Sequence, residues 1–357
     1  MARQADPNLK DVAEQVRRTS KKPAEDDSSR LYISSGSTLL NLALSDRWDG
    51  GYSGGTMVNM IGDSSSGKTV LLLNMLAEAS INPRLDNYRL IHDDAEHARA
   101  FDVAYLFGQA LADRLEEPPA GNSTTIQELQ ANVYDAIKNG RQFLYAQDSW
   151  DSLSSIEELA KAEERIKGMR KGEDTKGSMH MEIAKIGGQI MRQTVGKVAK
   201  TDSLLFIIFQ TRDNVSGYGP KKKRSGGNAP TFYATHEIWL KVKGFKKSKG
   251  RIIGVDVEAR VSKNKLTGKK DRVAAFTIYY DYGVDDIGSM VDWMVEEGFW
   301  LMNKASIVAD EFNLKCSRDK LIRTIEKDNK ERKLCRLVGR RWLQLEESLK
   351  LDRKRRF

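Results

Sequence analysis

The sequence predicts an α/β fold: a mostly parallel central sheet with an antiparallel extension, helices on both faces, an N-terminal helix and a small helical C-terminal domain. Three observations predict it. Apolar strands alternate with helical stretches through the middle of the chain. A glycine-bounded turn joins the first long strand to its helix. After that alternation come three strands with no long helix between them. At 357 residues the chain can hold one large α/β domain and one or two small ones.

The elements follow in order. Residues 1–30 are polar, but Leu9, Val12, Ala13 and Val16 recur at helical spacing, and the stretch from Lys21 to Ser29 reads as a linker. Such a helix either packs on a neighbouring molecule or frays. Residues 31–285 form the expected core. Met57–Ile61, Arg89–Asp93, Phe143–Asp148 and Leu204–Gln210 are short apolar runs of strand length. Val70–Ala79, Ile126–Lys138 and Met181–Ala199 are helical by period. Ile238–Val242, Gly254–Val261 and Ala274–Tyr280 make the antiparallel extension. Residues 286–357 are expected to be a helical module: Ile287–Trp300 has a helical pattern, and the chain from Ile307 onward reads as helical and basic. Its cations are Arg332, Lys333, Arg336, Arg340 and Arg341, with Arg353–Arg356 at the end.

Composition narrows the function classes. The net charge of +9 favours a polyanionic partner, most simply nucleic acid. Four His and two Cys leave little room for a metal cluster, and Cys316 and Cys335 lack ligand spacing, so they read as free thiols in a reducing compartment. No apolar run is long enough to span a bilayer and no secretory pattern opens the chain, so no membrane partner is expected and the expected location is cytoplasmic.

The strongest motif is Gly62-Asp63-Ser64-Ser65-Ser66-Gly67-Lys68-Thr69, which fits G-x-x-x-x-G-K-[ST] and lies between a strand and a helix. The glycines let backbone N–H groups curl toward phosphates, and the helix N-terminus adds partial positive charge. Lys68 is expected on the β/γ-phosphates and Thr69 on Mg²⁺, which makes ATP and Mg²⁺ the expected cofactors. Asp148, at the end of an apolar strand, is the expected second metal-side carboxylate. Glu96, at another strand end, is the candidate for polarising an attacking water. Gln210 ends a third strand, where an amide can bond either water or the γ-phosphate.

Two basic loops follow these strands. The first, residues 167–180, carries Lys167, Met169, Arg170, Lys171 and Lys176. The second, residues 211–227, carries Arg212, Tyr218, Lys221, Lys222, Lys223 and Arg224, and ends in Gly226-Gly227-Asn228. Long unstructured loops are usually functional or disordered. A basic loop hung on a phosphate-sensing Gln points to coupling between nucleotide state and polyanion binding. With Tyr218 the one aromatic in either loop, contact through backbone phosphates is better supported than base stacking.

From about residue 31 to 283 these motifs resemble the RecA recombinases, virus-encoded versions included. Ile33-Ser34-Ser35-Gly36-Ser37 is similar to the opening of that core, Asp94-Ala95-Glu96-His97-Ala98 to its glutamate motif and Asp148-Ser149 to its magnesium-side pair. Ser178-Met179-His180-Met181 and Met191-Arg192 resemble the end of the first DNA loop and the helix after it, which adds Met179, His180, Lys185 and Arg192 to the DNA set. Gln210-Thr211-Arg212 and Gly226-Gly227-Asn228-Ala229 resemble the two ends of the second loop. Val261-Ser262-Lys263-Asn264-Lys265 is similar to the paired-lysine motif, so Lys263 and Lys265 would reach the neighbouring subunit's nucleotide. The resemblance implies a RecA-type nucleotide-binding core. It implies a DNA-dependent ATPase that forms helical filaments of itself on single-stranded DNA, pairs that strand with a homologous duplex and works with a single-strand-binding protein or loader, in a bacterial or virus-infected bacterial cytoplasm. Glu96, Lys68, Gln210, Lys263 and Lys265 would be its catalytic set. The adenine contacts depart from the family pattern, with Ala100, Phe101 and Asp102 after His97, and Asp102 is the expected polar substitute. The C-terminus ends in Arg355-Arg356-Phe357 where relatives often carry acids. A ring-forming motor on the same core and a non-catalytic recombination-mediator subunit are the competing readings.

Overall fold

A computed structural model describes residues 30–97, 102–170, 180–214 and 222–353, without the side chains of 168 and 180–184. The expected N-terminal helix lies outside the described residues. The described residues from Tyr32 onward form one compact unit.

The core opens with a two-residue ribbon, β1 (Tyr32–Ile33) and β2 (Tyr52–Ser53), around helix α1 (Thr38–Ser45). Every residue of α1 is buried, and Ser37 caps its N-terminus by accepting from the Leu40 N–H. β3 (Thr56–Gly62) then leads into α2 (Lys68–Ser80), the strand–turn–helix that the phosphate-loop pattern requires. β4 (Arg89–Asp94), the short helices α3 (Val103–Phe107) and α4 (Gln109–Arg114), β5 (Leu115–Glu116), α5 (Ile126–Lys138) and β6 (Phe143–Asp148) continue the alternation. The bounds of α5 follow from a capping box: Thr125 accepts from the Glu128 N–H, and Glu128 reaches back to the N-cap backbone.

Next come α6 (Ile156–Arg170), α7 (His180–Lys200), β7 (Leu204–Asp213), β8 (Lys222–Arg224) and α8 (Ala229–Tyr233). The extension is longer than its apolar runs suggest: β9 (His236–Ser248), β10 (Arg251–Asn264), β11 (Arg272–Tyr279) and β12 (Gly283–Asp285). Among the described residues the main sheet has ten strands, ordered β12-β11-β10-β9-β3-β7-β6-β4-β5, with β8 on β7. Pairs from β9 through β5 are parallel, and those from β9 through β12 are antiparallel. This is the expected α/β architecture. Ile126, Leu129, Val133 and Ala136 of α5 pack with Ile190, Met191 and Val198 of α7 on one face, over Phe143, Tyr145, Leu205 and Ile207.

The C-terminal part departs from expectation. Helix α9 (Asp286–Glu296) stops before Trp300, and a three-stranded antiparallel sheet follows: β13 (Leu301–Asn303), β14 (Ser306–Ala309) and β15 (Leu314–Cys316). Helices α10 (Arg318–Lys327) and α11 (Glu331–Ser348) come after it. Ile307 and Ala309 therefore lie in a strand, not a helix. The lysines and acids of 302–317 hide a period-two burial pattern at Ile307 and Ala309.

The first basic loop is also shorter than expected. Residues 156–170 are helical and the chain is helical again from His180, so Lys167, Met169 and Arg170 sit on the last turn of α6. The Glu-rich, Ala-containing run 157–164 favours helix by propensity.

Candidate nucleotide and nucleic-acid site

The phosphate loop is built by close approach. Gly62 ends β3, and a Cβ there would lie 2.4 Å from Ser66 Oγ. Gly67 caps α2 at φ +89°, and its Cβ would meet Ile278 Cδ1 at 2.4 Å. The loop folds on itself through Ser66 Oγ, which donates to the Asp63 carbonyl at 2.8 Å. Lys68 is buried, and its ammonium donates to the carbonyls of Gly62 (3.0 Å) and Asp63 (2.7 Å). Burial pulls the Lys68 pKa down, while Asp148, Glu96, Asp63 and Asp151 hold it up.

Parallel register brings four strand ends together. Asp94 lies opposite Asp148 between β4 and β6, and Gly62 lies opposite Gln210 between β3 and β7. Thr69 Oγ1 donates to Asp148 Oδ2 at 2.6 Å. Burial, with the like charges of Glu96 and Asp94, pushes the Asp148 carboxyl up to about 6 against the pull of Thr69 and Lys68. Glu96 Oε1 accepts from Ser149 Oγ at 2.5 Å and from Gln210 Nε2 at 3.0 Å. Around these groups lies a cleft of about 350 Å³, lined by residues 64–70 together with Asp94, Glu96, Asp148 and Gln210.

Val255, Ile278 and Tyr280 complete the cleft wall and were not legible in the sequence. They come from the antiparallel extension, and no motif marks which of its residues face the phosphate loop. Asp102, expected beside the base, instead caps α3: its Oδ1 accepts from the Tyr105 N–H at 3.0 Å. An Asp before a short helix has that orphan N–H as its nearest partner.

These residues fit a magnesium nucleoside triphosphate. The glycine cradle would be filled by any Cβ. Among the described residues the Lys68 ammonium bonds only to backbone carbonyls, with no carboxylate in contact there. Thr69 and Asp148 are an oxygen pair of the kind Mg²⁺ takes.

The second basic loop stands on a hairpin of β7 and β8, with Thr211, Arg212 and Asp213 paired to Arg224, Lys223 and Lys222. Arg212 and Lys223 are exposed, as are Gly227 and Asn228 at the start of α8, while Gly226 is half-buried. Arg224, expected among the DNA contacts, turns inward and its side chain is 5% exposed. Its guanidinium stacks over Phe209, donates to the Gly227 carbonyl and Thr231 Oγ1, and lies 3.9 Å from Glu237. The buried Glu237 carboxylate supplies the reason, since a buried charge needs a partner. Lys185 and Arg192 are exposed on α7, and the backbone of His180 begins that helix. Lys171, Lys176, Met179, Tyr218 and Lys221 lie outside the described residues.

Lys263 and Lys265 do not line the cleft of their own chain. Lys263 Nζ donates to the Thr231 and Phe232 carbonyls, and Lys265 Nζ to that of Phe232 at 2.9 Å. Asp151 is a further residue missed in the sequence. Its Oδ2 accepts from the Gln210 N–H and from Ser225 Oγ, each at 2.7 Å, so it ties both strands of the hairpin.

The chain is similar to known proteins of one family. The family described as RecA N-terminal domain matches residues 150–285. Protein RecA of Colwellia psychrerythraea is 29% identical over 269 residues, covering 75% of this chain and 71% of that one. Protein RecA of Rhodospirillum rubrum is 31% identical over 265 residues, covering 73% of this chain and 65% of the relative. Protein RecA of Nostoc punctiforme is 27% identical over 297 residues, 82% of this chain and 75% of the other.

Proposed function

This chain is a RecA-family protein with a role in DNA recombination and repair, and from that premise we propose that it is a DNA-dependent ATPase that polymerises on single-stranded DNA and drives homologous pairing and strand exchange. One observation carries the reading. Gln210 bonds the candidate base Glu96 and is also the root of the basic hairpin. A single residue thus lines the cleft with its side chain and leads by its backbone into the loop that would hold a strand.

In this reading Lys68 and the backbone N–H groups of residues 63–69 bind the β/γ-phosphates of ATP. Thr69 and Asp148 would hold Mg²⁺, which when bound would supply positive charge to offset that of the phosphates. Glu96 orients the attacking water and takes its proton, and Ser149 keeps the carboxylate aimed. Gln210 exchanges its bond to Glu96 for one to the γ-phosphate, and that movement brings the β7–β8 hairpin onto the DNA backbone. Lys263 and Lys265 leave their carbonyl partners and reach the nucleotide of the adjacent subunit in the filament. Tyr280, on the cleft wall, is the candidate for stacking on the base.

The test is an ATPase assay with and without single-stranded DNA, paired with negative-stain microscopy in a slowly hydrolysed ATP analogue. DNA-stimulated hydrolysis and helical filaments are expected, both lost in Lys68→Ala. Closed rings with directional unwinding would replace the reading with a motor, and an unstimulated, filament-free protein would replace it with a binding subunit.

A further inference from the structure

The phosphate loop of this chain carries an acid, Asp63, directly after its first glycine, and that acid bonds no group of its own loop through its carboxylate. Oδ1 accepts from Thr211 Oγ1, and Oδ2 pairs with Lys222 Nζ at 2.5 Å. Thr211 follows Gln210 on β7, and Lys222 opens β8. One carboxylate therefore spans both strands of the hairpin that carries the second basic loop. Asp151 grips the same hairpin through Gln210, Arg212 and Ser225. The two acids differ in exposure. Asp151 is buried, its side chain 9% exposed, and besides the Gln210 N–H and Ser225 Oγ it pairs with Arg212 at 3.5 Å. Asp63 is half exposed, and it holds the Thr211 hydroxyl and Lys222, a cation that would otherwise face solvent.

We propose that Asp63 is an electrostatic latch: with no nucleotide bound it occupies Lys222 and Thr211, and so withholds one cation of the hairpin from nucleic acid. This rests on the function proposed above. The strength of the contact decides its role. An ion pair this exposed is worth only a few-fold in equilibrium. It biases the hairpin without fixing it, and a strand offering several phosphates displaces it. A triphosphate on the same loop brings like charge beside Asp63 and shifts Gln210, the neighbour of Thr211, from Glu96 to the γ-phosphate. Both effects act against the latch, so nucleotide binding frees Lys222 in the same step that moves the loop.

The test measures the affinity of a fluorescent single-stranded oligonucleotide for the full chain by anisotropy, across a range of salt, with no nucleotide and with a slowly hydrolysed ATP analogue. Asp63→Asn is expected to raise the nucleotide-free affinity about two- to five-fold. It should also steepen the nucleotide-free salt slope by about 0.7, the value of one added phosphate contact on a single strand. Lys222→Gln should remove that gain when added to Asp63→Asn. An unchanged nucleotide-free affinity and slope in Asp63→Asn would overturn the latch, and so would a gain that survives Lys222→Gln. The wild-type protein separates the two readings. If its own affinity does not respond to the analogue, the proposed function fails; if it responds and Asp63→Asn behaves identically, only the latch fails.

Discussion

Glu96 and Gln210 share one hydrogen bond, and that bond sets what substitution should do at either end. Glu96→Gln keeps an acceptor for Ser149 and Gln210 but cannot take a proton. It is expected to bind ATP and DNA while hydrolysing about 10²- to 10⁴-fold more slowly, measured as DNA-stimulated turnover. A normal rate would remove Glu96 from the base role. A second residue-scale expectation concerns pH. Asp286 heads α9 and accepts from the Thr38 N–H and Oγ1 at 2.6 and 2.7 Å. Burial, against these bonds and with Glu78 nearby, pushes its carboxyl up to about 7. A raised folded-state pKa means that ionisation costs stability as pH rises from the unfolded value near 4 toward 7, and nothing further is lost above. Asp286→Asn keeps one acceptor for Thr38 and cannot ionise. It should gain on the wild type across that window, by on the order of 1–3 kcal/mol at pH 8 in urea unfolding, and match it below pH 4. A difference that does not change with pH would contradict this.

At the scale of elements, α11 is fastened to the core through its outer turns as well as its apolar stripe. Trp342 Nε1 donates to Asp46 Oδ1 at 3.0 Å, its ring lies 6.1 Å from that of Trp293, and Arg272 stacks over it. Asp46, in turn, pairs with Lys269 and Arg272, and both reach Glu346 of α11. The network joins the C-cap of α1, the β10–β11 turn and the last helix. Trp342→Ala opens a cavity and leaves Asp46 short of a donor, so a loss of about 3–5 kcal/mol is expected in chemical denaturation. A loss under about 1 kcal/mol would show that α11 is held mainly by its leucines. The arrangement also explains why much of the basic run on α11 is not free: Arg341 pairs with Glu311, and Lys333 donates to the Glu311 carbonyl.

For the whole molecule, the cations left over sit together. Arg336 and Arg340 are exposed on α11 and line a groove of about 560 Å³ with Trp48. If this face captures the homologous duplex, Arg336→Ala with Arg340→Ala should lower duplex affinity and flatten its salt slope by about 1.8, two phosphate contacts' worth. Single-strand binding should hold, and an unchanged duplex slope would assign the face to something else. No helix among the described residues is long and apolar enough to cross a membrane.

The parallel half of the sheet, the phosphate loop and the candidates Lys68, Thr69, Glu96, Asp148 and Gln210 could be read before any coordinates, because each is local. A strand of apolar residues, a glycine at a turn and a polar side chain at the strand's end declare themselves within a few positions. Asp151, Tyr280 and the Asp63–Lys222 pair could not, because each joins groups far apart in the chain, as Asp63 and Lys222 are 159 positions apart, and Arg224 turns inward toward a carboxylate on another element, Glu237. The same limit explains the small C-terminal sheet, whose strands are three or four residues long and show little period. Chain order sets which chemistry is present, but the lateral packing of strands decides which charges meet. A carboxylate's role depends on whether its partner is water, a buried arginine or an exposed lysine, and only the folded sheet makes that choice.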